Sequence, residues 1–81
     1  MSYEGEYLND LRNGKGKFMY SDGAYYKGDW KDDLKHGRGY YKWANGDTYE
    51  GDYSDDYRHG KGVLTYPSGI KYTGDWYYDN K

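Results

Sequence analysis

No cysteine occurs in the 81 residues, so a disulfide framework and a thiolate metal site are both excluded and the redox compartment is unconstrained. Aliphatic side chains are nearly as scarce. Leu8, Leu11, Leu34, Val63, Leu64 and Ile70, with two Met and two Ala, are the whole supply, too few for a conventional two-layer core. No apolar run approaches the roughly 18 residues of a bilayer-spanning helix, and no apolar stretch follows a basic start, so neither a membrane span nor a secretory signal is expected. An excess of either charge is also missing: 12 Lys and Arg stand against 14 Asp and Glu, a formal net of −2. A nucleic-acid binder would show a strongly basic face, and no nucleic-acid partner is expected. The length allows one domain at most. The default expectation is a soluble, cytoplasmic chain, with a cytoskeletal or membrane-surface association left open.

What the chain does hold is tyrosine and glycine, 14 of one and 13 of the other, a third of all residues. Any apolar interior must therefore be built from tyrosine and tryptophan rings, which keep one polar edge. A glycine-rich chain with a mean hydropathy of −1.44 could equally be disordered. The placement of the glycines decides. All of them fall on a period of 23: Gly5, Gly28, Gly51 and Gly74; Gly14, Gly37 and Gly60; Gly16, Gly39 and Gly62; Gly23, Gly46 and Gly69. The rings obey the same ruler, as Tyr3, Tyr26, Tyr49 and Tyr72; Tyr7, Trp30, Tyr53 and Trp76; Tyr20, Trp43 and Tyr66. A disordered low-complexity chain would not hold such register. The chain is a tandem array, with units at about 3–25, 26–48 and 49–71 and a partial one at 72–81.

Within a unit, Tyr26-Lys-Gly-Asp-Trp30 alternates ring or glycine with charge, and Gly37-Arg-Gly-Tyr-Tyr-Lys-Trp43 does the same. A period of two predicts strands. Lys31 to His36 reads as a polar linker of six, and Asn45-Gly46, Asp22-Gly23 and Ser68-Gly69 read as tight turns. Each unit is then a hairpin, and the chain an antiparallel meander of about seven strands. The columns suggest a register in which Tyr26 faces Tyr41, Gly28 faces Gly39 and Trp30 faces Gly37. On the other surface this sets Asp29 against Arg38, Glu6 against Lys15 and Asp52 against Lys61, opposite charges every time. At the turn, Tyr20 would face Tyr26 and Trp30 would face Gly16, which needs an odd-length loop or a bulge at Asp22-Gly23. Glycine on the flanking strands lets each large ring lie over bare backbone.

These residues resemble the MORN (membrane occupation and recognition nexus) repeat, whose pattern runs approximately Y-E-G-E-W, H-G-x-G, then an aromatic and a D-G turn. The first half is matched by Tyr3-Glu-Gly-Glu-Tyr7, Tyr26-Lys-Gly-Asp-Trp30, Tyr49-Glu-Gly-Asp-Tyr53 and Tyr72-Thr-Gly-Asp-Trp76. The second is matched by Asn13-Gly-Lys-Gly16, His36-Gly-Arg-Gly39 and His59-Gly-Lys-Gly62. The departures are Asn13 for His, Ala44-Asn45-Gly46 for P-D-G, and a fourth unit with only its first strand. The resemblance implies an all-β, single-layer, twisted antiparallel sheet forming an open groove. It also implies a role in scaffolding or partner binding, with a less secure link to membranes and phosphoinositides.

No catalytic constellation is visible, and Ser2, Ser21, Ser54 and Ser68 have no nucleophile partners at recognisable positions. An enzyme is not expected, nor is a cofactor. His36 and His59 lie one repeat apart, roughly 9–10 Å across two strand spacings, too far to share a zinc ion. The pairs Asp32-Asp33 and Asp55-Asp56 do not fit a calcium loop and read as solvated loop charge. Lys15, Arg38 and Lys61 beside glycines are a candidate anion site, but no phosphate-loop pattern surrounds them. Lipid headgroup binding through this column should be weak, because neighbouring carboxylates cancel its field. The remaining candidate is the ring face: Tyr3, Tyr7, Tyr20, Tyr26, Trp30, Tyr41, Trp43, Tyr49, Tyr53, Tyr66, Tyr72 and Trp76. Tyr and Trp give large contact area at low entropic cost, so a protein or peptide partner, or a second copy of the chain, is the expected occupant. A purely structural or self-assembling array is the other possibility, and the outer strands invite self-association.

Overall fold

The computed structural model describes residues 1–78; the last three residues of the partial fourth unit lie outside this range. Seven strands follow one another, β1 (Ser2–Leu8), β2 (Leu11–Met19), β3 (Tyr25–Lys31), β4 (Leu34–Lys42), β5 (Thr48–Ser54), β6 (Tyr57–Thr65) and β7 (Lys71–Trp76). They form one antiparallel sheet in chain order, measuring 39 × 25 × 15 Å. The expected all-β, single-layer meander is what the chain adopts.

The two kinds of connection are exchanged relative to the sequence expectation. Lys31 belongs to β3, and Leu34, Lys35 and His36 belong to β4, so the supposed six-residue linker is a two-residue turn at Asp32-Asp33. Both turn residues sit at positive φ, 49° and 70°, and the same holds for Asn9-Asp10 and Asp55-Asp56. Two successive positive φ values make the mirror-image turn that matches strand twist. Asn and Asp adopt positive φ more readily than other non-glycine residues. The glycine turns are the wider ones, five residues from Tyr20 to Ala24, Trp43 to Asp47 and Tyr66 to Ile70. Each is closed by a pair of backbone bonds such as Trp43 N–H to Asp47 O at 2.9 Å and Gly46 N–H to Trp43 O at 3.0 Å. The odd loop length needed to keep the rings on one face is present.

Register is right at the centre of each hairpin and shifts toward its tip. Tyr26 pairs with Tyr41 and Gly28 with Gly39, but Trp30 then pairs with Lys35, not Gly37. A bulge intervenes at His36-Gly37-Arg38, with Gly37 at φ 88°. The same irregularity separates Gly5 from Tyr7 and Gly51 from Tyr53. Across the wider turn Tyr26 pairs with Phe18 rather than Tyr20, and Trp30 faces Gly14 rather than Gly16.

This register aligns one glycine from every strand. Gly5, Gly16, Gly28, Gly39, Gly51, Gly62 and Gly74 are successive cross-strand partners, a side-chain-free row through the middle of the sheet. Tyrosines lie down over it. Tyr26 reaches along its own strand past Gly28 to donate its hydroxyl hydrogen to Asp29 O at 2.8 Å. Tyr3, Tyr49 and Tyr72 make the same bond to Glu6, Asp52 and Asp75. A Cβ on Gly39 would fall inside the Tyr26 ring, and one on Gly16 or Gly62 would strike Tyr3 or Tyr49 in the same way.

Second-column rings stand on edge between the flat tyrosines. Tyr26 meets Trp30 at 5.1 Å and 84° and Tyr53 at 5.2 Å and 89°. Tyr49 meets Tyr53 at 5.3 Å and Trp76 at 5.4 Å, again near-perpendicular. Edge-to-face contact sets the positive ring edge against the negative face, worth about 0.5–1.5 kcal/mol per pair beyond area burial. The chain of contacts runs from Tyr7 and Tyr3 to Trp76 and Tyr72, and it buries Tyr26 and Tyr49 completely with no second layer above them.

A methyl group at the glycine row therefore costs far more than one at a turn. Gly39→Ala should destabilise by about 1–3 kcal/mol or more through overpacking against Tyr26. Gly69→Ala meets open space and should cost only roughly 1 kcal/mol, for its positive φ. Urea unfolding of the two variants checks the ordering; equal losses would contradict the packing described.

Candidate functional site

The twelve rings expected to form a partner face divide by depth. Tyr26, Trp30, Tyr49, Tyr53 and Trp76 are buried, at most 5% exposed, and serve as the floor. Tyr3, Tyr20, Tyr41, Trp43, Tyr66 and Tyr72 are half-buried above or beside it, and Tyr7 is exposed. Tyr20, Tyr41 and Trp43 form a strip, with ring centroids 5.7 and 4.7 Å apart. Phe18 extends the strip, 4.7 Å from Tyr20. Beyond Trp43 lies a depression of about 330 Å3 lined by Trp43, Asn45, Asp47, Arg58, Leu64 and Tyr66. The wide turn 43–47 supplies its polar rim and β6 supplies its arginine and leucine.

Three cations lie among the rings, one per repeat, and these are absent from the sequence-based site. Arg12 sits 4.5 Å from the Trp30 centroid and 4.9 Å from that of Phe18. Arg58 sits 4.5 Å from Trp76 and 5.4 Å from Trp43. The Lys35 ammonium lies 5.6–6.0 Å from Tyr26, Tyr41 and Tyr53. A cation over a ring face is worth about 0.5–2 kcal/mol, more as water is excluded. The spacing of 23 from Arg12 to Lys35 to Arg58 was the available signal, hidden because residues 31–36 read as a loop.

The aspartate pairs read as solvated loop charge prove to be bonded between repeats. Arg12 donates its backbone N–H to Asp33 Oδ1 at 2.7 Å and its Nε–H to the same oxygen at 3.0 Å, and Asp33 N–H returns a bond to Arg12 O. Asp56 does the same for Lys35, accepting its backbone N–H at 2.7 Å and lying 3.7 Å from its ammonium. The second and third hairpin tips are thereby stapled to the strand that precedes each hairpin. The Arg12 bonds hold the Asp33 carboxyl below its ordinary 3.8.

The opposite face also departs from expectation. Glu6, Asp29 and Asp52 do not pair with the side chains of Lys15, Arg38 and Lys61 across the hairpin. Each folds into the bulge and accepts the backbone N–H of that residue, at 2.6, 3.1 and 3.1 Å. The cationic side chains turn to the other neighbour: Lys15 to Asp29, Arg38 to Asp52 at 3.1 Å, and Lys61 to Asp75. For Asp29, partial burial works against ionisation, but Lys15 and the Arg38 N–H outweigh it and lower the pKa. The candidate anion column is thus a row of ion pairs. His36 lies 3.8 Å from Asp55, and His59 packs on Tyr78 at 4.5 Å. Burial raises the phenols of Tyr41 and Tyr49 to about 12 and that of Tyr26 further still.

The MORN repeat family model matches residues 3–25, 26–48 and 49–71, one match over each of the hairpins β1–β2, β3–β4 and β5–β6. No curated protein matches the chain.

Asp33 should govern part of the acid stability. Its folded pKa is depressed, so its contribution is present above about pH 4 and is lost as pH falls through the folded value. Asp33→Asn should lower stability at neutral pH and flatten the acid limb of a plot of urea midpoint against pH. An acid limb identical to that of the parent chain would contradict the staple.

Proposed function

The chain belongs to the MORN repeat family, and on that premise we propose that it is a non-catalytic module for protein–protein scaffolding. It engages its partner through the half-exposed strip of the ring face. The observation that carries this reading is the depression between Trp43, Arg58, Leu64 and Tyr66 at the end of the Tyr20–Tyr41–Trp43 strip. Trp, Tyr and Arg are the residues on which binding energy concentrates, above all around a pocket that a partner side chain can fill and dry. The buried rings beneath fix the strip in place, so little ordering entropy is lost on binding. The Asn45 and Asp47 rim supplies polar groups for orientation.

The membrane-surface alternative is disfavoured by the charges. Lys15, Arg38 and Lys61 are each engaged by an aspartate, so the column offers an anionic bilayer little net attraction. Self-association belongs to the same reading as the case in which a second copy is the partner: among the described residues β1 and β7 each pair with one strand, and an open strand edge recruits another.

Peptides selected by phage display against the folded chain should bind the parent and lose tenfold or more in affinity to Trp43→Ala or Tyr66→Ala. Circular dichroism and Thr73→Ala, on the opposite face, serve as controls. Peptides that bind Trp43→Ala undiminished would overturn this site. Tight co-sedimentation with anionic vesicles at physiological salt, with no peptide enriched, would replace it with the membrane reading.

A further inference from the structure

On the face opposite the rings, most columns either repeat or carry neutral residues, and one reverses sign. The column occupied by Glu4, Glu50 and Thr73 in other units holds Lys27 in the second. Lys27 stands directly opposite Lys17 across the β2–β3 pair. Like charges in register destabilise a sheet, and the equivalent pairs elsewhere are Tyr40 with Glu50 and Val63 with Thr73. The fold does not need this repulsion.

Around the two lysines the sheet gathers a compact patch. Lys27 pairs on its other side with Tyr40, and in the next row Met19, Tyr25 and Lys42 are successive partners. Tyr25 and Tyr40 stack at 6.1 Å and 30°, and the Lys17 ammonium lies 4.6 Å from the Tyr25 centroid. Among the described residues no carboxylate lies within ion-pair distance of Lys17, Lys27 or Lys42, unlike Lys15, Arg38 and Lys61. The glycine row leaves shallow depressions on both sides of Lys27. One, of about 360 Å3, has Glu4, Lys17 and Lys27 on its walls and Gly16 and Gly28 at its floor. The other, of about 330 Å3, is lined by Lys27, Gly28, Arg38, Gly39, Tyr40 and Glu50.

We propose that this patch is a second docking surface, separate from the ring face, and that its occupant is an extended acidic peptide segment. Three unpaired cations complement carboxylates, the stacked tyrosines offer a ledge for the peptide's apolar atoms, and the glycine floor admits close backbone approach. Glu4 and Glu50 wall the cationic strip on both sides. A narrow peptide lying between them sets its carboxylates against Lys17, Lys27 and Lys42, whereas a flat anionic bilayer would average over lysines and glutamates alike.

The test uses fluorescein-labelled octaglutamate and fluorescence anisotropy with the full chain. Binding should be saturable, weaken as salt rises, and fall at least tenfold in Lys27→Glu. That substitution restores the residue of the neighbouring repeats and removes the repulsion, so its melting temperature should equal or exceed the parent's, separating lost binding from lost folding. Tyr40→Ala should weaken binding, while Lys71→Glu, the same charge change at the far end of the face, and Trp43→Ala on the ring face should leave it intact. Absence of binding at low salt, or equal weakening by Lys27→Glu and Lys71→Glu, would overturn the proposal. Phosphatidylserine vesicles binding with the same Lys27 dependence would overturn it in favour of a bilayer.

Discussion

A tyrosine lying flat over glycine, with its hydroxyl tied to a backbone carbonyl three residues on, is the contact on which the sheet depends. A single-layer sheet has nothing above it to bury a side chain that stands upright. Burial becomes possible only if rings recline and cover one another, and reclining requires bare backbone beneath. The row from Gly5 to Gly74 provides that space. The hydroxyl bonds of Tyr3, Tyr26, Tyr49 and Tyr72 hold the rings down, and Trp30, Tyr53 and Trp76 fill the gaps edge-on. The core is thus a line of rings along the sheet rather than a volume between layers, which is how 81 residues with six branched aliphatics bury any side chain completely.

Charge organises the two surfaces in different ways. On the ring face Arg12, Lys35 and Arg58 cover ring planes with apolar stems and charged heads, and Asp33 and Asp56 tie the first two to the next hairpin tip. On the other face aspartates satisfy the bulge N–H groups with one oxygen while a lysine or arginine from the neighbouring strand meets the carboxylate. Both arrangements link a unit only to its neighbours, so stability should sum over units and interfaces as in other repeat arrays. The two faces also differ, one aromatic with a depression at Trp43 and the other carrying the lysine cluster of Lys17, Lys27 and Lys42.

Much of this was legible in the sequence. The period of 23, the strands, the single sheet, the seating of rings on glycine and the odd turn length all follow from spacing, because a sheet's pleat makes alternation and repeat visible in one dimension. Glycine draws attention as a turn former, but the tighter turns are made by paired Asn and Asp residues, whose carboxylates at Asp33 and Asp56 bond to the preceding hairpin, whereas the local Asp22 and Asn45 side-chain bonds belong to the wider turns. The bulge at Gly14, Gly37 and Gly60 was invisible for a related reason: a glycine that seats a ring and a glycine at positive φ look the same on paper. The bulge displaces the register of Trp30 and gives Glu6, Asp29 and Asp52 backbone N–H partners, while the apparent loop at 31–36 conceals the strand that carries Lys35 and, by the repeat, the column of Arg12 and Arg58.

The sequence by itself determined the family, the number of strands and which residues are rings and which are bare backbone, since these are properties of composition and spacing. Only the tertiary structure decided which rings are floor and which remain open, which aspartate meets which cation, and that Lys17 and Lys27 stand side by side. Those outcomes depend on cross-strand register, which turn length and a bulge of two extra residues set by changing partners without leaving a distinct mark in the order of the amino acids.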